Sequence, residues 1–326
     1  MREAIEERTE EQQVKYLVAH MLDWYGRELK KSYWEKFRLE ELTEDELLEE
    51  SAAIAELNFT GERSFVKTSV IDAYSFSHQQ TDIRKSDNVI FHTFDGYATV
   101  VSIDKAKNLV YLNKSEKYSD THPRAIFKSN IVKADKKVNR IVNLGMVVAE
   151  YGIKAPFLKS GIDLLLRRTP RVKGKLEKDK TKQIGWLEWL LKLNNSVLPM
   201  QGPPGTGKTW NGSELVLNLI LAGKKIGVTA LSHSVITGFL KRISKKADEQ
   251  GLEVKMIQKV SEGRSDKPWR KTTDSDELKR KISKMDVIAG TTFMWADDDL
   301  MDSVDYLFVD EAGQLSLVDT LACGFA

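Results

Sequence analysis

Gln201-Gly-Pro-Pro-Gly-Thr-Gly-Lys-Thr-Trp210 decides how the rest of this chain is read. Gly202, Gly207, Lys208 and Thr209 fill the spacing G-x-x-x-x-G-K-[ST], with Pro203, Pro204, Gly205 and Thr206 between the two outer glycines. A polyphosphate is held by several backbone N–H groups turned inward, and glycine permits that concave backbone because no Cβ intrudes. Lys208 then reaches the terminal phosphates, and the Thr209 hydroxyl can ligate Mg²⁺. An apolar run at helical spacing follows (Leu215, Val216, Leu219, Ile220, Leu221), so the positive end of a helix also faces the anion. Upstream, Ser196-Val-Leu-Pro-Met200 predicts the short buried strand from which such a loop springs.

Downstream, apolar strands alternate with helices. Strands are expected at Lys225–Ala230, Val254–Ile257, Asp286–Ala289 and Tyr306–Val309, with helices at Val235–Glu249 and Asp276–Lys284. Continuous apolar strands separated by helices predict a buried parallel sheet, whose ligands bind at the carboxyl ends of the strands. The last strand delivers Asp310-Glu-Ala-Gly-Gln314. An acidic pair at that place suits metal-assisted phosphoryl transfer. Asp310 can hold Mg²⁺ and Glu311 can orient and deprotonate an attacking water. Gln314, one helical turn on, can sense the γ-phosphate or that water.

Composition bounds the rest. The 326 residues, 41% hydrophobic and 30% charged, suit two or three soluble domains. A single cysteine, Cys323, excludes an intramolecular disulfide and a cysteine-rich zinc module. The acidic N-terminus is unlike a secretion signal, and no stretch approaches twenty apolar residues, so a cytoplasmic protein without a membrane partner is expected. The net charge of +2 hides an asymmetry. Residues 1–60 carry 8 Lys/Arg against 16 Asp/Glu, whereas residues 124–184 carry 16 against 5. A basic stretch beside a nucleotide site suits a polyanion such as nucleic acid, and a solvated linker reads equally well for Lys173–Lys182.

Before the phosphate loop the chain falls into three segments. Residues 1–57 read as helical, with Val14, Leu17, Val18, Met21 and Leu22 at helix spacing and a capping box at Thr43-Glu-Asp-Glu46 that opens a helix through Ile54. Residues 58–133 read as a small antiparallel β-barrel, with a tight turn at Asp95-Gly96 and another over Asp104–Asn108. Residues 134–174 return to helix, and 175–326 form the nucleotide domain. His92 and His122 have no partner at metal spacing and read as ordinary polar residues.

QGPPGTGKT followed by VDEAGQ resembles motifs I and II of superfamily 1 helicases, in the branch that includes the nonsense-mediated-decay helicase. The resemblance implies a RecA-like α/β domain that binds ATP and Mg²⁺ and moves on single-stranded nucleic acid, DNA rather than RNA. Val228-Thr-Ala-Leu-Ser-His233 is similar to motif Ia, and Ala289-Gly-Thr-Thr292 to the next nucleic-acid motif. The resemblance carries backbone contacts to Ser232, His233, Thr291 and Thr292, although the family usually has asparagine where His233 stands. Gln183 is placed like the family's adenine-reading glutamine. Segments within residues 11–174, among them His20–Tyr25, Tyr33–Phe37, Glu46–Glu50 and Asp163–Arg171, are similar to bacterial fusions of a RecB-like nuclease to such a helicase.

The chain ends at Ala326, before the family's motif III and second RecA-like domain. The expectation is therefore an ATP-binding half-motor, weak in hydrolysis and without unwinding activity alone. Two rivals stay open: another P-loop ATPase of AAA+ type, and a non-catalytic nucleic-acid-binding module. Lys208 and Asp310 are 102 residues apart, more than a compact AAA+ core needs.

Overall fold

A computed structural model of the protein describes residues 7–66, 68–129, 131–155, 158–174, 183–203 and 205–324. The chain divides into two compact units, one formed by Met1–Tyr25 with Ala134–Ala326, the other by Gly26–Lys133. The first begins with α1 (Glu10–Met21), whose capping box pairs Thr9 with Gln12. α2 (Trp24–Glu41) then leads into the second unit.

The second unit continues with α3 (Glu44–Leu48), opened by the Thr43–Glu46 capping box. That helix stops at Leu48 and does not run to Ile54, which lies in β1 (Ala53–Ile54). Six further strands follow: β2 (Asn58–Val66), β3 (Ser69–Ser75), β4 (Asn88–Phe91), β5 (Tyr97–Asp104), β6 (Leu109–Ser115) and β7 (Ile126–Lys128). They form one 7-stranded antiparallel sheet in the order β1-β7-β4-β5-β6-β3-β2. Among the described residues the two end strands do not pair with each other, so the small barrel expected is an open ladder. Alternate residues still converge on one core, which gathers Ile54, Tyr74, Val89, Val100, Leu112 and Ile126.

The tight turn expected at Asp95-Gly96 is instead a longer connection, residues 92–96, that turns at His92 and Thr93. The left-handed residue of the connection is Thr93, and Gly96 is required because a Cβ there would lie 2.5 Å from the Phe91 ring. The same sheet buries charge. Asp72 accepts from Arg63 Nε at 2.7 Å and lies 2.7 Å from Lys114 Nζ, with both Asp72 and Lys114 inaccessible to solvent. Burial alone would raise the Asp72 carboxyl, but hydrogen bonds from Arg63 and then Lys114 outweigh it and hold the group below its ordinary value. Lys114 also donates to Tyr74 Oη, which meets His122 Nδ1 at 2.9 Å, so His122 is a structural partner.

In the first unit, α4 (Asp135–Tyr151) and α5 (Lys159–Leu165) pack with α1 through Val14, Val18, Ile141, Leu144, Val148 and Ile162. Then come α6 (Gln183–Lys192), α7 (Lys208–Leu221), β8 (Ile226–Thr229), α8 (His233–Glu249), β9 (Met256–Lys259), β10 (Arg270–Thr272) and α9 (Ser275–Lys281). β11 (Val287–Ala289), α10 (Thr292–Trp295), β12 (Tyr306–Val309) and α11 (Leu317–Cys323) complete it. The strands form a 5-stranded sheet, parallel throughout, in the order β10-β9-β11-β8-β12.

Its two faces follow the period of two along each strand. Ile226, Val228, Met256, Val287 and Ala289 pack beneath α7 and α8, while Ile257, Ile288 and Leu307 face Leu278, Trp295 and Leu300. Gly227 stands where Trp295 crosses the sheet, since a Cβ would meet that ring at 2.9 Å.

Two strand expectations change. Ser196–Met200 joins no ladder among the described residues, although Leu198 and Met200 pack on the sheet's core. Its start is tied by side chains instead, because Ser196 Oγ accepts from Arg171 N at 3.1 Å and donates to Asp163. Conversely, β10 was not anticipated. Its short polar run, Arg270-Lys-Thr272, carries no apolar pattern and gains strand structure only by pairing at the sheet's margin.

Candidate functional site

The glycine-rich loop leads directly into α7. Gly205 and Gly207 take positive φ angles of 80° and 79°, conformations that cost other residues energy, and Gly207 is the cap from which the helix starts. A Cβ on Gly202 would come within 2.8 Å of Thr206 Oγ1, so this glycine serves close approach. Thr206 in turn donates to Pro203 O at 2.8 Å, and Lys208 Nζ donates to the carbonyls of Gly202 and Pro203. The ammonium is thus aimed into the curve of the loop. Thr209 follows, half-buried, in the first turn of α7. Pro204 and the side chain of Gln183 lie outside the described residues, although Gln183 opens α6.

β12 lies beside β8, with Val309 opposite Thr229, and Asp310 N donates to Thr229 O as the strand ends. Burial pushes the Asp310 carboxyl up, while the backbone N–H of Glu311, 3.1 Å from Oδ1, favours the charged form. Two cations, Arg242 and Lys208, also pull it down. Lys208 and Asp310, 102 residues apart in the chain, therefore share one electrostatic neighbourhood. Arg242, on α8, had no motif to mark it in the sequence.

Glu311 sits at φ 50°, ψ 42°, a left-handed conformation unusual for a non-glycine residue. That turn directs the chain into the short helical turn Ala312–Gln314, and Gln314 Nε2 donates to Glu311 Oε2 at 2.8 Å. A hydroxyl and a carboxylate, from Thr209 and Asp310, are the hard oxygen ligands that Mg²⁺ accepts. Among the described residues no group of three or more His, Cys, Asp or Glu side chains could hold a metal alone.

The expected nucleic-acid residues lie on the loops after β8 and β11, which are neighbours in the sheet. Ser232 caps α8, its Oγ accepting from Val235 N at 3.3 Å. His233 Nε2 meets Ser261 Oγ at 3.0 Å. Ser261 follows β9, and β11 lies between β8 and β9, so this bond links the segments that follow the two strands flanking β11. Burial, and then the charge of Lys259, hold the His233 imidazole below its ordinary pKa, and Nδ1 has no partner among the described residues.

Thr291 is half-buried, whereas Thr292 is only 4% exposed. Thr292 is therefore largely covered by its surroundings, and the exposed neighbour is Phe293. Beneath this rim Gln258 is fully buried. Its Nε2 donates to Thr237 Oγ1 at 3.0 Å, and its Oε1 accepts from Trp269 Nε1 at 3.1 Å.

No protein-family model matches this chain, and no curated protein matches it in sequence. Among the described residues no single helix is long and apolar enough to cross a membrane.

Proposed function

We propose that the chain is an ATP-dependent motor domain of the superfamily 1 helicase type, with a RecA-like core that couples Mg-ATP to single-stranded nucleic acid. The observation that carries this reading is that Lys208, at the head of α7 behind two left-handed glycines, lies close enough for its charge to act on Asp310 at the carboxyl end of β12. Gly205 to Thr209 would offer backbone N–H groups to the phosphates, and Lys208 would exchange its loop carbonyls for phosphate oxygens. Mg²⁺, held by Thr209 and Asp310, would neutralise charge on the β- and γ-phosphates. Glu311 takes a proton from water as its oxygen attacks the γ-phosphorus and the bond to the bridging oxygen breaks. Gln314 keeps that carboxylate oriented through its 2.8 Å bond.

Nucleic acid would lie along the loops of Ser232, His233 and Thr291, on the same edge of the sheet as the phosphate loop. The test is ATP binding and hydrolysis with and without single-stranded DNA or RNA, with Lys208→Ala as control. Mg-ATP binding that Lys208→Ala abolishes supports the reading. Nucleic-acid binding that ignores nucleotide and survives the substitution favours a non-catalytic binding module.

A further inference from the structure

Phe293 is 43% exposed although Thr292, Met294 and Trp295 around it are buried. One side of its ring is occupied, because Lys137 Nζ lies 3.6 Å from the ring centroid. That lysine is itself 4% exposed and is fixed by Asp319 Oδ1 at 2.6 Å, which also accepts from Tyr25 Oη at 3.0 Å. A buried, hydrogen-bonded cation therefore backs the ring and leaves the remainder of it to solvent. The position is shared with polar groups. Thr291 lies two residues before it, and the His233–Ser261 bond links the segments that follow the two strands flanking β11. Leu231 is exposed on the loop after β8, and at and after the end of β9 stand Lys259, half-buried with Nζ donating to Thr273 O, and Arg264, exposed and bonded to Thr273 Oγ1. The rim thus combines a flat aromatic surface with hydroxyls and cations. That combination suits a strand with unpaired bases and an anionic backbone, and is wasted on an apolar protein segment.

We propose that Phe293 is a stacking platform for one base of a single-stranded nucleic acid whose backbone follows the Ser232, Thr291 and Ser261 loops. The inference rests on the nucleic-acid reading of this edge. It is tested with the full chain and two single-stranded DNA oligonucleotides of equal length, one carrying 2-aminopurine among ordinary bases and one abasic through its centre. Wild type and Phe293→Tyr are expected to bind the first strand and quench its fluorescence. Phe293→Leu and Phe293→Ala are expected to lose the quench and about ten-fold in affinity, with the salt dependence unchanged, because stacking and not phosphate contact is removed. On the abasic strand all four proteins are expected to bind alike. Tight, fully quenched binding by Phe293→Leu overturns the proposal, as does an equal loss on both strands. Failure of wild type to bind either strand at low salt defeats the nucleic-acid reading itself, a result distinct from wild-type binding without a Phe293 effect.

Discussion

At the scale of single residues, the proposed function assigns binding to the glycine-rich loop and chemistry to Glu311. Lys208→Ala is expected to leave folding intact, since the side chain is exposed and among the described residues bonds only its own loop, and to abolish Mg-ATP binding measured by calorimetry. Glu311→Gln is expected to keep nucleotide affinity and lower hydrolysis by about 10²–10⁴-fold, the usual worth of a general base. Glu311→Gly, which also removes the carboxylate, is expected to be as inactive but more stable, by about 1 kcal/mol in denaturant unfolding, because the left-handed turn is relieved. The loop was legible because its glycines answer a conformational demand that spacing alone expresses. Thr292 and Arg242 were not. The burial of one and the approach of the other to Asp310 depend on how distant segments pack, which no local pattern encodes.

At the scale of elements, caps and buried amides hold the loops that the candidate site uses. Ser232→Ala removes the α8 cap and is expected to cost about 1 kcal/mol. Ser232→Asp retains a capping oxygen, so stability recovers, while the added charge is expected to weaken nucleic-acid binding; thermal melts and binding curves on the same samples separate the two effects. Gln258→Leu leaves Trp269 Nε1 and Thr237 Oγ1 without their partner and is expected to destabilise the first unit by about 1–3 kcal/mol. The apolar strands β8, β11 and β12 were readable to within a residue or so because their runs are continuous. Ser196–Met200 shows the limit of that rule: an apolar run establishes burial, and a strand also needs a neighbour to pair with. The open ladder of the antiparallel sheet has the same cause, since hairpin signals specify adjacent pairs and say nothing about whether the two ends meet.

At the scale of the whole molecule, two units with separate cores are expected to show separate unfolding transitions. Asp72→Asn breaks a buried charge cluster and is expected to cost the second unit about 3–5 kcal/mol, lowering one calorimetric transition and leaving the other in place. The depressed Asp72 carboxyl also sets a direction with pH. Its contribution is fully present above the unfolded value of about 3.9 and is lost as pH falls through the lower folded value, so the second unit weakens in acid and Asp72→Asn removes that component. Mg-ATP is expected to raise only the transition of the first unit.

The interruption of the first unit by the second has a consequence for synthesis. α1 leaves the ribosome more than a hundred residues ahead of α4, the helix on which Val14 and Val18 are buried. At about 5–20 residues per second, its apolar face stays uncovered for on the order of ten seconds. By the end of that interval every strand of the antiparallel sheet has been made, β7 last, so its core can close as α4 appears. The second unit can thus finish folding before the first, and the apolar face of α1 is a segment a chaperone would cover meanwhile.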